Sequence, residues 1–170
     1  MSENSTDAAA GAAAAGEGPR VQLQKVYLKD ASVEVPGAPQ VFTRAFQPKV
    51  DVALNTEVQP LAESSHHVVL AVTVTAKQDD EVAYLVEVQM AGVVALSGVR
   101  NDAEKQALLG AWAPNEIFPF VREAISDFVQ KAGFPPFLLQ PVNFDAALRD
   151  HLRKQQGQAG AAGQEPPVAH

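Results

Sequence analysis

Cysteine is absent from all 170 residues. That excludes a disulfide framework, a thiolate metal site and a cysteine nucleophile. Positive charge is also short: 13 Lys and Arg stand against 20 Asp and Glu, a net charge of −7, with an isoelectric point near 5.0. Nucleic acids and anionic membranes both require a basic face, so neither suits this chain as a partner. Excess acid favours solubility and a positively charged partner. No apolar run approaches the roughly 20 residues of a membrane span, and we expect no direct membrane insertion. The N-terminus has no basic leading segment, and its alanines are interrupted by glycine, so it does not read as a signal peptide. The expected location is the cytoplasm. Phosphate loops, nucleophile elbows and H-E-x-x-H helices are missing as well.

What is present is a chain with 46% hydrophobic residues, enough for one domain with a proper core. Residues 1–19 are mostly Ala, Gly, Ser and Glu, and residues 155–170 mostly Gln, Gly, Ala and Pro. Neither stretch has side chains large enough to offset the entropy of ordering, so both are expected to be disordered tails around a domain of 20–154. All 13 cations and 16 of the acids lie between Arg20 and Lys154, which leaves Glu3, Asp7, Glu17 and Glu165 in the tails.

Strands are expected through the first two thirds. The larger apolar residues fall on even positions from Val50 to Asn55, and even-position apolar stripes recur from Val68 to Ala76, whose other face (Val69, Ala71, Thr73, Thr75) is semi-apolar, and from Val82 to Met90. This is the period-2 alternation of half-buried strands. Gln78-Asp79-Asp80-Glu81 reads as the turn of an antiparallel hairpin, and Ala91-Gly92 as a bulge before Val93–Ser97. Between Val21 and Val35 the apolar phase slips from odd (Val21, Leu23) to even (Val26, Leu28) and back to odd (Ala31, Val33, Val35). Such slips predict a long bent or bulged strand packing on two surfaces, ended by Pro36-Gly37-Ala38-Pro39.

Helices are expected afterwards. Asn101 or Asp102 caps the first, running to Ala113, where Pro114-Asn115 breaks it. A longer helix follows towards Lys131 with Pro119 near its start. Gly133 suits a C-terminal cap, and Asn143 caps a final helix with the stripe Phe144, Leu148 and Leu152. Strands followed by helices predict an α+β fold, an antiparallel sheet with helices packed on one side.

No catalytic constellation emerges, no metal site is expected and no cofactor is implied. His66 and His67 are adjacent in a strand and point to opposite faces. Asp79-Asp80-Glu81 lies in a turn, where acids are ordinarily solvated. Phe42 and Phe46, Phe118 and Phe120, and Phe134 and Phe137 sit in or beside Pro-bounded segments, which suits an apolar groove. Asp30 and Glu34 share a face if their strand stays regular. Leu85 and Glu87 occupy the face opposite the Val82–Met90 stripe. On residues alone this acidic surface fits either a solvated sheet face or a docking patch.

Several segments, in order and spacing, resemble the SecB family of protein-export chaperones. They are Val26 to Pro36, Val41-Phe42 through Phe46-Gln47-Pro48, Val69 to Ala76, Glu87-Val88-Gln89, Pro114-Asn115 with Phe118 to Glu123, and Pro141 to Ala146. The resemblance spans residues 21–152. It implies a four-stranded antiparallel sheet with helices packed against it, assembled as a homotetramer that is a dimer of dimers. It implies an ATP-independent holdase, not an enzyme, that binds unfolded secretory preproteins and passes them to the SecA ATPase. Asp30, Glu34, Leu85 and Glu87 match the family's SecA-docking positions. Phe46, Tyr84, Phe120 and Phe144 match positions lining its client groove. Two other roles remain compatible: a SecB-like chaperone dedicated to a toxin-antitoxin system, and a carrier for a small apolar ligand.

Overall fold

The computed structural model describes residues 18–161, their side chains as far as Gln155. Four strands, β1 (Arg20–Glu34), β2 (Lys49–Pro60), β3 (Ser65–Gln78) and β4 (Glu81–Ser97), precede the helices. They form one antiparallel sheet in the order β1-β4-β3-β2. The helical part comprises α1 (Asp102–Ala107), a π turn (Leu108–Trp112), α2 (Ala113–Lys131) and α3 (Phe144–Ala161). This is the expected α+β architecture.

Period-2 alternation decides which face is covered. Val68, Leu70, Val72, Val74 and Ala76 of β3 are buried beside Val86, Val88, Met90 and Val94 of β4. α2 lies over them through Ile117, Val121, Ile125 and Val129, all fully buried. Hydrophobic burial contributes roughly 25 cal/mol per Å² along this seam. The β3–β4 turn uses Asp79 and Asp80, both with positive φ (52° and 64°), as a two-residue hairpin of the I′ kind requires.

β1 accounts for the phase slips. Its register against β4 shifts between Leu23 and Lys25 and again between Leu28 and Asp30. Each extra residue turns the alternation by one. Val21, Leu23, Val26, Leu28, Ala31 and Val33 therefore pair with Leu96, Val94, Gly92, Met90, Val88 and Val86, all on the inner face of the sheet, although Leu28 and Val33 stay exposed. The strand keeps one apolar surface, not the two expected. Gly92 lies at no bulge of β4: a Cβ there would stand 2.9 Å from both Ile117 Cδ1 and Leu23 Cδ1. Its role is close helix–sheet approach.

The helices differ from expectation in two places. Asn101 caps α1, its side-chain oxygen accepting from the Glu104 amide at 2.8 Å. Pro114, however, does not end the helical run, because the π turn leads directly into α2 with Pro114 in its first turn. Pro119 sits well inside α2 rather than at its start, on the exposed side of that helix. At the far end, Gly133 (φ 91°) closes α2, with the Phe134 amide donating to the Val129 carbonyl. Asn143 accepts from the Ala146 amide at 2.9 Å and caps α3. α3 continues to Ala161, past the expected boundary at 154, since Arg153-Lys154-Gln155-Gln156 are good helix formers. The tail expectations for 1–17 and 162–170 lie outside the described residues.

Candidate functional site

The outward sheet face carries the acidic patch. Downstream of its second bulge β1 is regular, and Glu34 pairs with Leu85, Ser32 with Glu87 and Asp30 with Gln89. Asp30, Glu34, Leu85 and Glu87 thus share one face across two neighbouring strands. The Thr73 hydroxyl donates to the Glu87 carboxylate at 3.2 Å, and the neighbouring Lys29 donates to the Gln89 side chain. Among the described residues no cation lies within ion-pair distance of Asp30, Glu34 or Glu87. No ion pair among the described residues offsets these carboxylates, which surround a half-buried Leu85. Further along this face Tyr27 reaches across β4 and hydrogen-bonds His67 Nε2 at 2.9 Å.

The four aromatic candidates do not form a single surface. Tyr84 is 2% exposed, walled in by Phe46 and by Phe134 at centroid distances of 6.3 and 4.9 Å. As a lining residue it is corrected, since its ring is packed behind Phe46 and Phe134 and burial pushes its hydroxyl pKa up. Phe46 is half-buried and packs on Phe134 at 4.9 Å, while Phe42 meets Phe134 at 5.2 Å. The crossover between β1 and β2 is pinned to the helix side by these contacts, each worth about 1 kcal/mol beyond burial. Phe134 is their hub. Its only sequence signal was the adjacent Pro135-Pro136. Phe120 stands apart, 49% exposed on α2.

Phe144 belongs to a different place. It packs edge-on against Phe118 at 5.6 Å and lines an open groove of about 700 Å³ between β2 and the helices. Leu54 and Val58 of β2 form one wall, and Leu109, Gly110 and Leu148 the other. Asp102, Lys105, Gln106 and His151 line it too. Leu54, Val58 and nearby Val52 are about 40% exposed, though they continue the apolar face of β3. The helices cover the sheet centre and stop short of this edge. Even-position alternation pointed to Val52 and Leu54 as one apolar face, and nothing in it said that the face would stay open.

α1 bounds the groove, and its first turn is closed by a local contact. Arg100 donates to Glu104 from both backbone (2.8 Å) and guanidinium (2.9 Å), which holds the Glu104 carboxyl below the usual range. His66, on the inward face of β3, is 4% exposed and its Nδ1 has no partner. Desolvation, and then repulsion by Lys105, lower its pKa. Among the described residues no three metal-ligating side chains converge.

A family model described as preprotein translocase subunit SecB matches residues 14–155. The chain is 44% identical over 168 residues to the "Protein-export protein SecB" of Halorhodospira halophila, covering 98% of this chain and 96% of that protein. It is 48% identical over 146 residues to the protein of the same name from Alcanivorax borkumensis, covering 84% and 92%. Among solved structures, a Mycobacterium tuberculosis SecB-like chaperone in complex with a ChAD peptide from an antitoxin superposes with a TM-score of 0.58. That likeness covers 72% of this chain and 88% of the other at 18% identity, so it speaks for the fold alone.

Proposed function

Given that this chain belongs to the SecB family and serves as a chaperone in protein export, we propose that its open inner edge retains unfolded precursors and its acidic outer face delivers them. The observation that carries this reading is the exposed apolar edge of β2, Val52, Leu54 and Val58, continuous with a groove of about 700 Å³. Each apolar client side chain laid there leaves water at roughly 25 cal/mol per Å². An unfolded chain offers such side chains, and a folded one has already hidden them. Selection for unfolded clients therefore needs no sequence code and no nucleotide, and the protein makes and breaks no bonds.

Retention by several weak contacts suits a homotetramer, a dimer of dimers, in which four such edges act on one client by avidity. Strands β1 and β2 are the sheet's two outer strands and leave main-chain groups available for assembly. Delivery to the SecA ATPase uses Asp30, Glu34, Leu85 and Glu87, an uncompensated negative patch suited to a basic segment. All of this belongs to the cytoplasm, before the client crosses the membrane.

Size-exclusion chromatography with an unfolded precursor and with its native, folded form tests the reading. Co-elution is expected for the unfolded form alone. Equal retention of the native form would overturn the burial argument. Stabilisation by one small apolar compound, with no precursor bound, would favour a ligand carrier instead.

A further inference from the structure

The wall of the groove contains main chain. Gly110 lines it, and a glycine can contribute only backbone atoms. A Cβ there would stand 2.9 Å from Leu148 Cδ1, so α3 packs closely on the bare backbone at this point. Gly110 also lies within the π turn Leu108–Trp112, a distortion often found where helices meet ligands.

Helix hydrogen bonding is broken at this point. The Ala113 amide donates to the Leu108 carbonyl, five residues back. The Leu109 carbonyl therefore loses its ordinary α-helical donor to its neighbour. The next amide along would belong to Pro114, which has none. Gly110 loses its own α-helical donor for the same reason. No side chain or loop amide among the described residues donates to either carbonyl. An acceptor left unpaired beside an apolar surface is costly, and water or a ligand N–H can satisfy it.

We infer that the π turn and Pro114 together hold a main-chain carbonyl of Leu109 or Gly110 ready to accept a hydrogen bond from the backbone amide of a client lying extended in the groove. This rests on the reading that unfolded polypeptide occupies the groove. It deepens that reading by naming what is recognised: the peptide backbone, present in every client, alongside apolar side chains. A folded client has its amides paired internally and cannot make this bond. Main chain against main chain recognises extended polypeptide irrespective of sequence, which side-chain pockets alone do not.

The test uses the full chain and a synthetic unfolded peptide rich in Leu and Phe, with copies N-methylated at one backbone amide at a time. Peptide binding should move the Leu109 or Gly110 carbonyl ¹³C resonance downfield, read through the following amide or, for Gly110, through Ala111. Pro114→Ala restores the missing donor and should weaken binding about three- to tenfold, the worth of one hydrogen bond. One N-methylated copy should lose a similar factor against the native chain and little against Pro114→Ala. Unmoved carbonyls, with an N-methyl scan identical for both proteins, would overturn the inference. If Leu54→Asp still abolished binding in that case, the groove reading would survive and this inference alone would fall. If the peptide bound Leu54→Asp normally, it would be held elsewhere and both would fail.

Discussion

Leu54 and Val72 are direct neighbours across β2 and β3, face the same side of one sheet, and belong to the same even-numbered alternation. Val72 is 1% exposed and Leu54 40%. Val72 lies under α2, and Leu54 faces the open groove that the helices bound without filling. Alternation fixes the face of a strand on which apolar residues stand. It does not fix the width of the layer that will cover them, because that depends on helix length and placement. The covered strand holds the fold together, and the uncovered one leaves water-averse surface exposed, the surface on which the proposed client retention depends.

The largest way to break this comparison is to place a carboxylate on each strand. Val72→Asp buries an unpaired charge and should cost on the order of 4 kcal/mol or more, enough to unfold the chain in a urea titration. Leu54→Asp should change the same midpoint by less than about 1 kcal/mol and abolish retention of an unfolded precursor. Equal destabilisation by both would mean that β2 is covered in solution.

A second comparison sets inner against outer face. Glu87→Lys reverses charge in the acidic patch, 180° away from the groove along the strand's alternation. SecA affinity should fall about tenfold, the scale of one charge contact of about 1.4 kcal/mol, and the loss should shrink at high salt. Precursor retention should remain. Joint loss of both activities would show that the two surfaces are one.

Much of this was readable from residues, and the reasons for the rest are specific. The twin phase slips of β1 were visible because a bulge leaves a trace in period-2 patterning. The caps at Asn101 and Asn143 were visible because capping is local chemistry. Pro114 misled, because sequence shows the missing amide but not that a π turn could absorb it. Among the groove candidates, Phe144 could be placed by its stripe, whereas Tyr84 is sealed by Phe134, fifty positions on in the chain. That contact is tertiary, and no local pattern encodes it. The uncovered state of Val52, Leu54 and Val58 is tertiary in the same way.

His66 and His67 offer a smaller contrast within one dipeptide. His67 faces outward and meets Tyr27, while His66 is buried inward with Nδ1 unpartnered. Desolvation, aided by Lys105, lowers the His66 pKa in the folded state. Unfolding then takes up a proton below the ordinary imidazole value of about 6.5, so this contribution is present above that pH and lost as pH falls beneath it. The urea midpoint should slope downward through mildly acidic pH, and His66→Leu should flatten part of that slope. An unchanged profile would mean that the imidazole is hydrated.

Thr56 provides the finest adjustment. It stands between Leu54 and Val58 on β2 and lines the groove with them, so the open edge is interrupted by a hydroxyl where β3 has Leu70 opposite. Thr56→Val replaces that hydroxyl by a methyl of nearly the same shape and makes the edge continuously apolar. Because the site is only partly covered, stability should move by no more than about 0.5 kcal/mol. Client affinity should rise about twofold, the share of a methyl's burial of about 0.8 kcal/mol that a half-open groove can realise. A measured weakening would show that the hydroxyl itself bonds the client, and that the edge binds through polar contacts in addition to burial.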